Sequence, residues 1–170
     1  MAVVSGATVD RSPARTSRLL SLVAASVAVG AAALASSTGA LAAVGGVFLV
    51  AVGLVLGSRR FVTGGSFVAL LGVLYGGLFA APPEFLILGT AAVVLVWDFG
   101  EQAINVGEQL GREADTERLE LMHAAGSTAV AASASGVGYG IYLLGAGGQP
   151  VTALVFLLVA AVALTSALRS

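Results

Sequence analysis

Residues 82–110 read PPEFLILGTAAVVLVWDFGEQAINVGEQL. The 13 residues from Phe85 to Trp97 carry no charge, and polar residues then enter at a fixed spacing. Asp98, Glu101, Asn105, Glu108 and, just beyond, Arg112 are separated by 3, 4, 3 and 4 residues. At 3.6 residues per turn they form one polar stripe along a helix. Phe99, Ala103, Val106 and Leu110 make an apolar face, and Gly100, Gly107 and Gly111 a smooth third one. The spacing passes through Trp97 unbroken, so a continuous helix is expected from about Phe85 to about Leu110. Pro82 or Pro83 suits its first turn, where no N–H is needed, and Gly111 suits its end. Such a helix crosses an apolar core roughly 30 Å thick and then runs on beyond it.

Working outward, five further apolar runs flank this one: Leu19–Ala35, Ala40–Gly57, Phe61–Ala81, Leu121–Leu144 and Val151–Leu168. Turn residues separate them, among them Ser36-Ser37-Thr38-Gly39 and Gly145-Ala146-Gly147-Gly148-Gln149-Pro150. In lipid the backbone must satisfy its own hydrogen bonds, so runs of this length are helices. The expected fold is an all-α polytopic transmembrane bundle of about six spans, with helix four extended into the cytoplasm. Residues 1–18 are expected to form a polar cytoplasmic lead, disordered or loosely held at the membrane surface. Residues 19–170 form the transmembrane domain, with a polar cytoplasmic segment at 98–120.

Composition agrees. The chain has 170 residues, is 58% hydrophobic and only 10% charged, and has a mean hydropathy of +1.00. Soluble domains are about 25% charged, so a water-facing surface cannot be covered with what remains. No basic patch suits a phosphate backbone, so no nucleic-acid partner is expected. Cysteine is absent, which removes disulfides, thiolate nucleophiles and Cys-based metal sites. All eight basic residues are Arg, in an Ala/Gly/Val-rich chain that fits a high-GC genome such as that of a haloarchaeon or an actinobacterium.

The arginines also set the orientation. With six helices, Arg11, Arg15 and Arg18 precede the first, Arg59 and Arg60 separate the second from the third, Arg112 and Arg118 the fourth from the fifth, and Arg169 follows the sixth. All fall on one side, and the other side carries only Glu84. The positive-inside rule makes that arginine side cytoplasmic, with both termini there, in a multi-pass protein of the cell membrane. A rival reading is a signal peptide cleaved near Ala40-Leu41-Ala42. Its apolar stretch exceeds the usual 7–15 residues, and its removal would leave five helices and put the remaining arginines on the wrong side or split them.

The candidate chemistry is sparse. Gly-x-x-x-Gly occurs at Gly53/Gly57, Gly72/Gly76, Gly107/Gly111 and Gly136/Gly140. These pairs suit close packing within one bundle and also allow a homo-oligomer. Glu120 and His123 are the Glu-x-x-His pair of di-iron bundles, but that site needs two such pairs and this chain has one His. The two are read instead as a polar interface at the start of helix five, with no metal or cofactor. Ser133-Ala134-Ser135-Gly136 is similar to the Gly-x-Ser-Gly of rhomboid intramembrane proteases. Its first glycine is missing and no His follows to act as base, so that resemblance fails. Segment 98–120 has seven acids against two arginines. This repels an anionic membrane surface and suits a solvated or partner-facing helix. Asp98, Glu101, Asn105, Glu108 and Arg112 are the candidate docking residues. Glu101 and Glu108 are expected to face water and a basic partner, with Phe99, Val106 and Leu110 as anchors. The bland alternative is a solvated face with local ion pairs such as Glu108–Arg112.

Trp97-Asp98-Phe99-Gly100-Glu101, then Gly107-Glu108-Gln109-Leu110-Gly111-Arg112-Glu113, then Arg118 and His123 resemble a family of small, uncharacterised multi-helix membrane proteins of haloarchaea. The resemblance covers about the middle third of the chain. It implies a membrane location and a role beside another membrane protein or a MoxR-type ATPase system, and it transfers no catalytic residue. The expected function is that of a non-enzymatic scaffold or accessory subunit of a membrane assembly. The alternatives are a small transporter or channel and an intramembrane enzyme using Glu120 and His123.

Overall fold

The computed structural model describes residues 10–111, 115–145 and 155–162. These residues form six helices and no strand: α1 (Arg15–Ala35), α2 (Ser37–Leu56), α3 (Arg59–Gly77), α4 (Pro83–Leu110), α5 (Glu117–Gly145) and α6 (155–162). Helices α1 to α4 are each long and apolar enough to cross a membrane. Helix α5 has 29 residues, but Ser, Gly and Tyr dilute its apolar content, and it is not among the four.

The connections are short, and the local sequence explains each. Ser36 alone joins α1 to α2. It is extended, at φ −165°, and its Oγ accepts from the Gly39 N–H at 3.2 Å, capping α2. Gly57 ends α2 in the left-handed region, at φ 63°, which glycine adopts without a Cβ clash. Pro83 opens α4, and Gly111 closes it at φ 78°. Connections this short force antiparallel neighbours, so α1, α2, α3 and α4 close into an up-down-up-down bundle. Helix α5 lies outside against α1 and α4.

Glycine sets the spacing of the bundle. Gly39 faces Gly72, and Gly46 faces Gly65, so α2 and α3 meet backbone to backbone. On α4, Gly89 packs against Val73 and Gly100 against Val62, while Gly107 receives the backbone of Ser12 and Pro13. Without a hydrophobic drive between helices in lipid, such close approach is a main source of packing energy. The intrabundle reading therefore holds for Gly53, Gly72, Gly76 and Gly107. Gly136 and Gly140 on α5 differ, because a Cβ at either would meet nothing within 4 Å.

Two apolar clusters fill the interior. Val50, Leu54, Val62, Val96 and Ile104 anchor one, and Ala28, Ala32, Ala69 and Val73 the other. Val155, Leu158 and Val162 of α6 pack against the second. The outward faces carry Leu41, Phe48, Phe67 and Leu71, all exposed. A bundle with large apolar side chains outside is the pattern of a membrane protein.

Two expectations shift. Helix α1 begins at Arg15 rather than Leu19, and the end of the N-terminal lead is docked rather than loosely held. Pro13 and Ala14 are buried, and the Ala14 N–H donates to the Ala103 carbonyl at 2.8 Å. The absence of a side chain at Gly107 makes room for this crossing. Helix α4 runs unbroken through Trp97, as the spacing implied. At 1.5 Å per residue its 28 residues span about 42 Å, against about 30 Å for its neighbours of 19 to 21.

Candidate functional site

The antiparallel order brings the N-termini of α1, α3 and α5 to the same end as the C-terminal half of α4. There Arg59, the first residue of α3, reaches across to the polar stripe. One guanidinium nitrogen donates to Glu101 Oε2 at 3.1 Å, and the other donates to Asn105 Oδ1 at 2.7 Å and Glu108 Oε2 at 2.6 Å. The planar fork of arginine suits several acceptors at once, which a lysine ammonium does not match. Glu101 also accepts from the Thr63 hydroxyl at 3.2 Å, and Thr63 accepts from the Trp97 indole N–H at 3.3 Å. Three stripe residues thus share one cation from the same chain. Glu101 is largely covered, at 18% side-chain exposure, while Glu108 remains half exposed at 52%. The expectation of a water-facing glutamate fits Glu108 and not Glu101.

Asp98 turns to α5. His123 Nε2 lies 2.9 Å from Asp98 Oδ2, within hydrogen-bond distance. Ser127 Oγ lies 3.5 Å from that same nitrogen. An acid–base–nucleophile relay needs the acid and the hydroxyl on opposite ring nitrogens, so Asp98, His123 and Ser127 do not form one.

Glu120 is buried at 2% exposure and serves a different helix again. Its Oε2 accepts from the backbone N–H of Ser17 at 2.6 Å, and its Oε1 accepts from the Thr116 hydroxyl at 2.8 Å. Ser17 lies in the first turn of α1, whose N-cap, Ala14, offers no side-chain acceptor. A carboxylate there satisfies an orphan donor and meets the positive end of the helix dipole. Glu120 and His123, three residues apart, therefore point to separate partners, Glu120 to α1 and His123 to α4.

Of the remaining stripe and anchor residues, Phe99 and Val106 are buried, whereas Leu110 is exposed. Arg112, and with it the Glu108–Arg112 pair, lies outside the described residues. Sequence reasoning missed Arg59, Thr63 and Ser17. A usable signal existed for Arg59, an arginine opening the helix antiparallel to α4 at the stripe's own end. At the far end of the bundle the contact of this kind among the described residues is the Tyr139 hydroxyl donating to Glu84 Oε1 at 2.6 Å.

Replacing Arg59 with alanine is expected to lower stability by about 1–2 kcal/mol, since partly exposed ion pairs contribute about 0–1 kcal/mol each. Lysine should recover only part of that loss. Thermal unfolding in detergent measures both variants, and an Arg59→Ala protein as stable as the parent would show that the clasp is decorative.

No curated protein and no solved structure matches the chain. A family model described as a family of unknown function, DUF7519, matches residues 11–165, which takes in the stripe, Arg59, Glu120 and His123. The chain belongs to that family.

Proposed function

We propose that this protein is a non-enzymatic scaffold or accessory subunit of a membrane assembly, with its charged end as the docking surface. The chain crosses the cell membrane six times in this reading, and both termini and the end of α4 lie in the cytoplasm. The observation that carries the reading is the use of the polar groups. Asp98, Glu101, Asn105, Glu108, Glu120 and His123 all hold helices to one another rather than converging on a cleft. What remains for a partner is the outer rim, where Asp115 and Glu117 are exposed, as are Arg60 and Arg118. The acidic members suit a basic surface on another membrane protein or on an ATPase of the MoxR type. The haloarchaeal source implied by the resemblance belongs to the same reading.

Capture of partners in mild detergent tests it. The variant Asp115→Asn/Glu117→Gln is expected to insert and fold as the parent does and to lose its partner, most clearly at low salt, where exposed charges are least screened. Retention of every partner by a folded double variant would remove the docking role and leave the rim a solvated face.

A further inference from the structure

A slot of about 450 Å³ lies between α1, α4 and α5, open along its side. Val27, Leu88, Ala91, Leu95, Ala131 and Ala132 line it, and Glu84 and Tyr139 stand at one end. From Thr128 to Gly136 the residues that α5 turns toward it are small. Small faces let helices close to backbone contact in lipid, as α2 and α3 do here. Helix α5 does not close: a Cβ at Gly136, on the slot wall, would meet nothing within 4 Å. Nor is α5 merely slack, because both of its ends are tied. Glu120 and His123 bind α1 and α4 at one end, and Tyr139 binds Glu84 at the other. The helix is held off at a fixed spacing, with an apolar gap in the middle.

An empty gap forfeits dispersion contacts along both walls, and water does not fill an apolar cavity. The volume lies within the roughly 300–1,000 Å³ of small-molecule sites. From Glu84 to Leu95 the wall runs about 16 Å along α4 at 1.5 Å per residue. It is hydrocarbon-like along its length, with a carboxylate and a phenol at the helix end. That polarity gradient is that of an amphiphile lying parallel to the helices. The single negative charge of Glu84 favours a headgroup that donates hydrogen bonds.

We propose that this slot binds one hydrocarbon chain of a bilayer lipid, with a donor-bearing headgroup, such as an ammonium or hydroxyl, at Glu84 and Tyr139. The site is separate from the charged end and does not depend on the docking role. Bound there, the chain completes the packing of α5 on α1 and α4.

The test uses the full chain in phosphatidylcholine vesicles. These contain a trace of phosphatidylethanolamine carrying a photoactivatable group midway along one acyl chain, and cross-links are mapped by mass spectrometry. Labelling is expected to concentrate on residues 88–95 and 128–136, well above the outward faces at Phe48 and Phe67. The filled variants Ala91→Phe and Ala131→Phe should each lose that excess. Glu84→Gln should reduce the advantage of the ethanolamine probe over a choline probe with the same chain. Even labelling of all outward faces would overturn the proposal, because the lipid would then be annular. So would cross-links from a photoreactive amino acid placed at Ala132 to residues 163–170 or to a second copy, which would make a protein segment the occupant. Labelling that survives in folded Ala131→Phe would also overturn it. Should the filled variants fail to insert, the map of the parent protein decides alone.

Discussion

Leucine at Gly46 is expected to prevent α2 from seating on α3. A Cβ built there would stand 2.5 Å from the Gly65 carbonyl oxygen and 2.9 Å from the Ala69 Cα. A Cβ at Gly65 would in turn stand 2.5 Å from the Gly46 oxygen and 2.7 Å from the Val50 nitrogen. These are backbone atoms, so no rotamer change makes room and the helices must separate along their length. Overpacked cores lose about 1–3 kcal/mol even when side chains can adjust, and more is expected here. The neighbouring residues give the control. A Cβ at Gly45 or Gly64 meets nothing within 4 Å. Alanine at either is expected to be neutral or to gain up to about 0.5–1 kcal/mol, the usual cost of glycine inside a helix. Size-exclusion profiles and unfolding temperatures of detergent-solubilised variants measure the difference. If Gly46→Leu and Gly45→Ala behaved alike, the glycine contact would not set the α2–α3 spacing.

Alanine at Glu120 is expected to cost about 2–4 kcal/mol, because the variant loses a hydrogen bond to a charged group and strands a buried donor. Among the described residues the Ser17 N–H is served at its helix end by Glu120, since Ala14 sits in place of a capping side chain. Glutamine keeps an acceptor oxygen and should recover a substantial part of the loss, though not the favourable charge at the α1 dipole. Hydrogen exchange at the first turn of α1 localises the effect. Rapid exchange there in Glu120→Ala, with α2 and α3 protected as before, is the expected result. An unchanged first turn would mean that the long-range cap does not hold α1.

Local periodicity made α4 readable. The polar stripe, the apolar face and the proline and glycine at its two ends all lie within one stretch of sequence, and the helix runs from Pro83 to Leu110 accordingly. The antiparallel order of α1 to α4 was legible from short turns and from arginines gathering at alternate helix ends. What the polar residues do was not. Among the described residues Glu108 pairs with Arg59, which comes from a different helix 49 residues away in the chain and lies beyond the reach of a four-residue helical spacing. The start of α1 at Arg15 is hidden from local sequence in the same way, since its cap comes from Glu120, 103 residues distant. The slot beside α5 has no sequence signature, because its small residues read the same whether a helix packs closely or stands off.

The membrane orientation of the charged end is the claim on which the docking reading rests, and the absence of native cysteine makes it directly testable. Single cysteines at Ala80, Gly148, Glu117 and Arg169 are probed in intact cells with a membrane-impermeant thiol reagent. Ala80 and Gly148 are expected to label from outside, and Glu117 and Arg169 only after permeabilisation. Labelling of Gly148 and Arg169 from the same side would contradict the six-span account, and labelling of Glu117 from outside would put the charged end beyond the reach of any cytoplasmic partner.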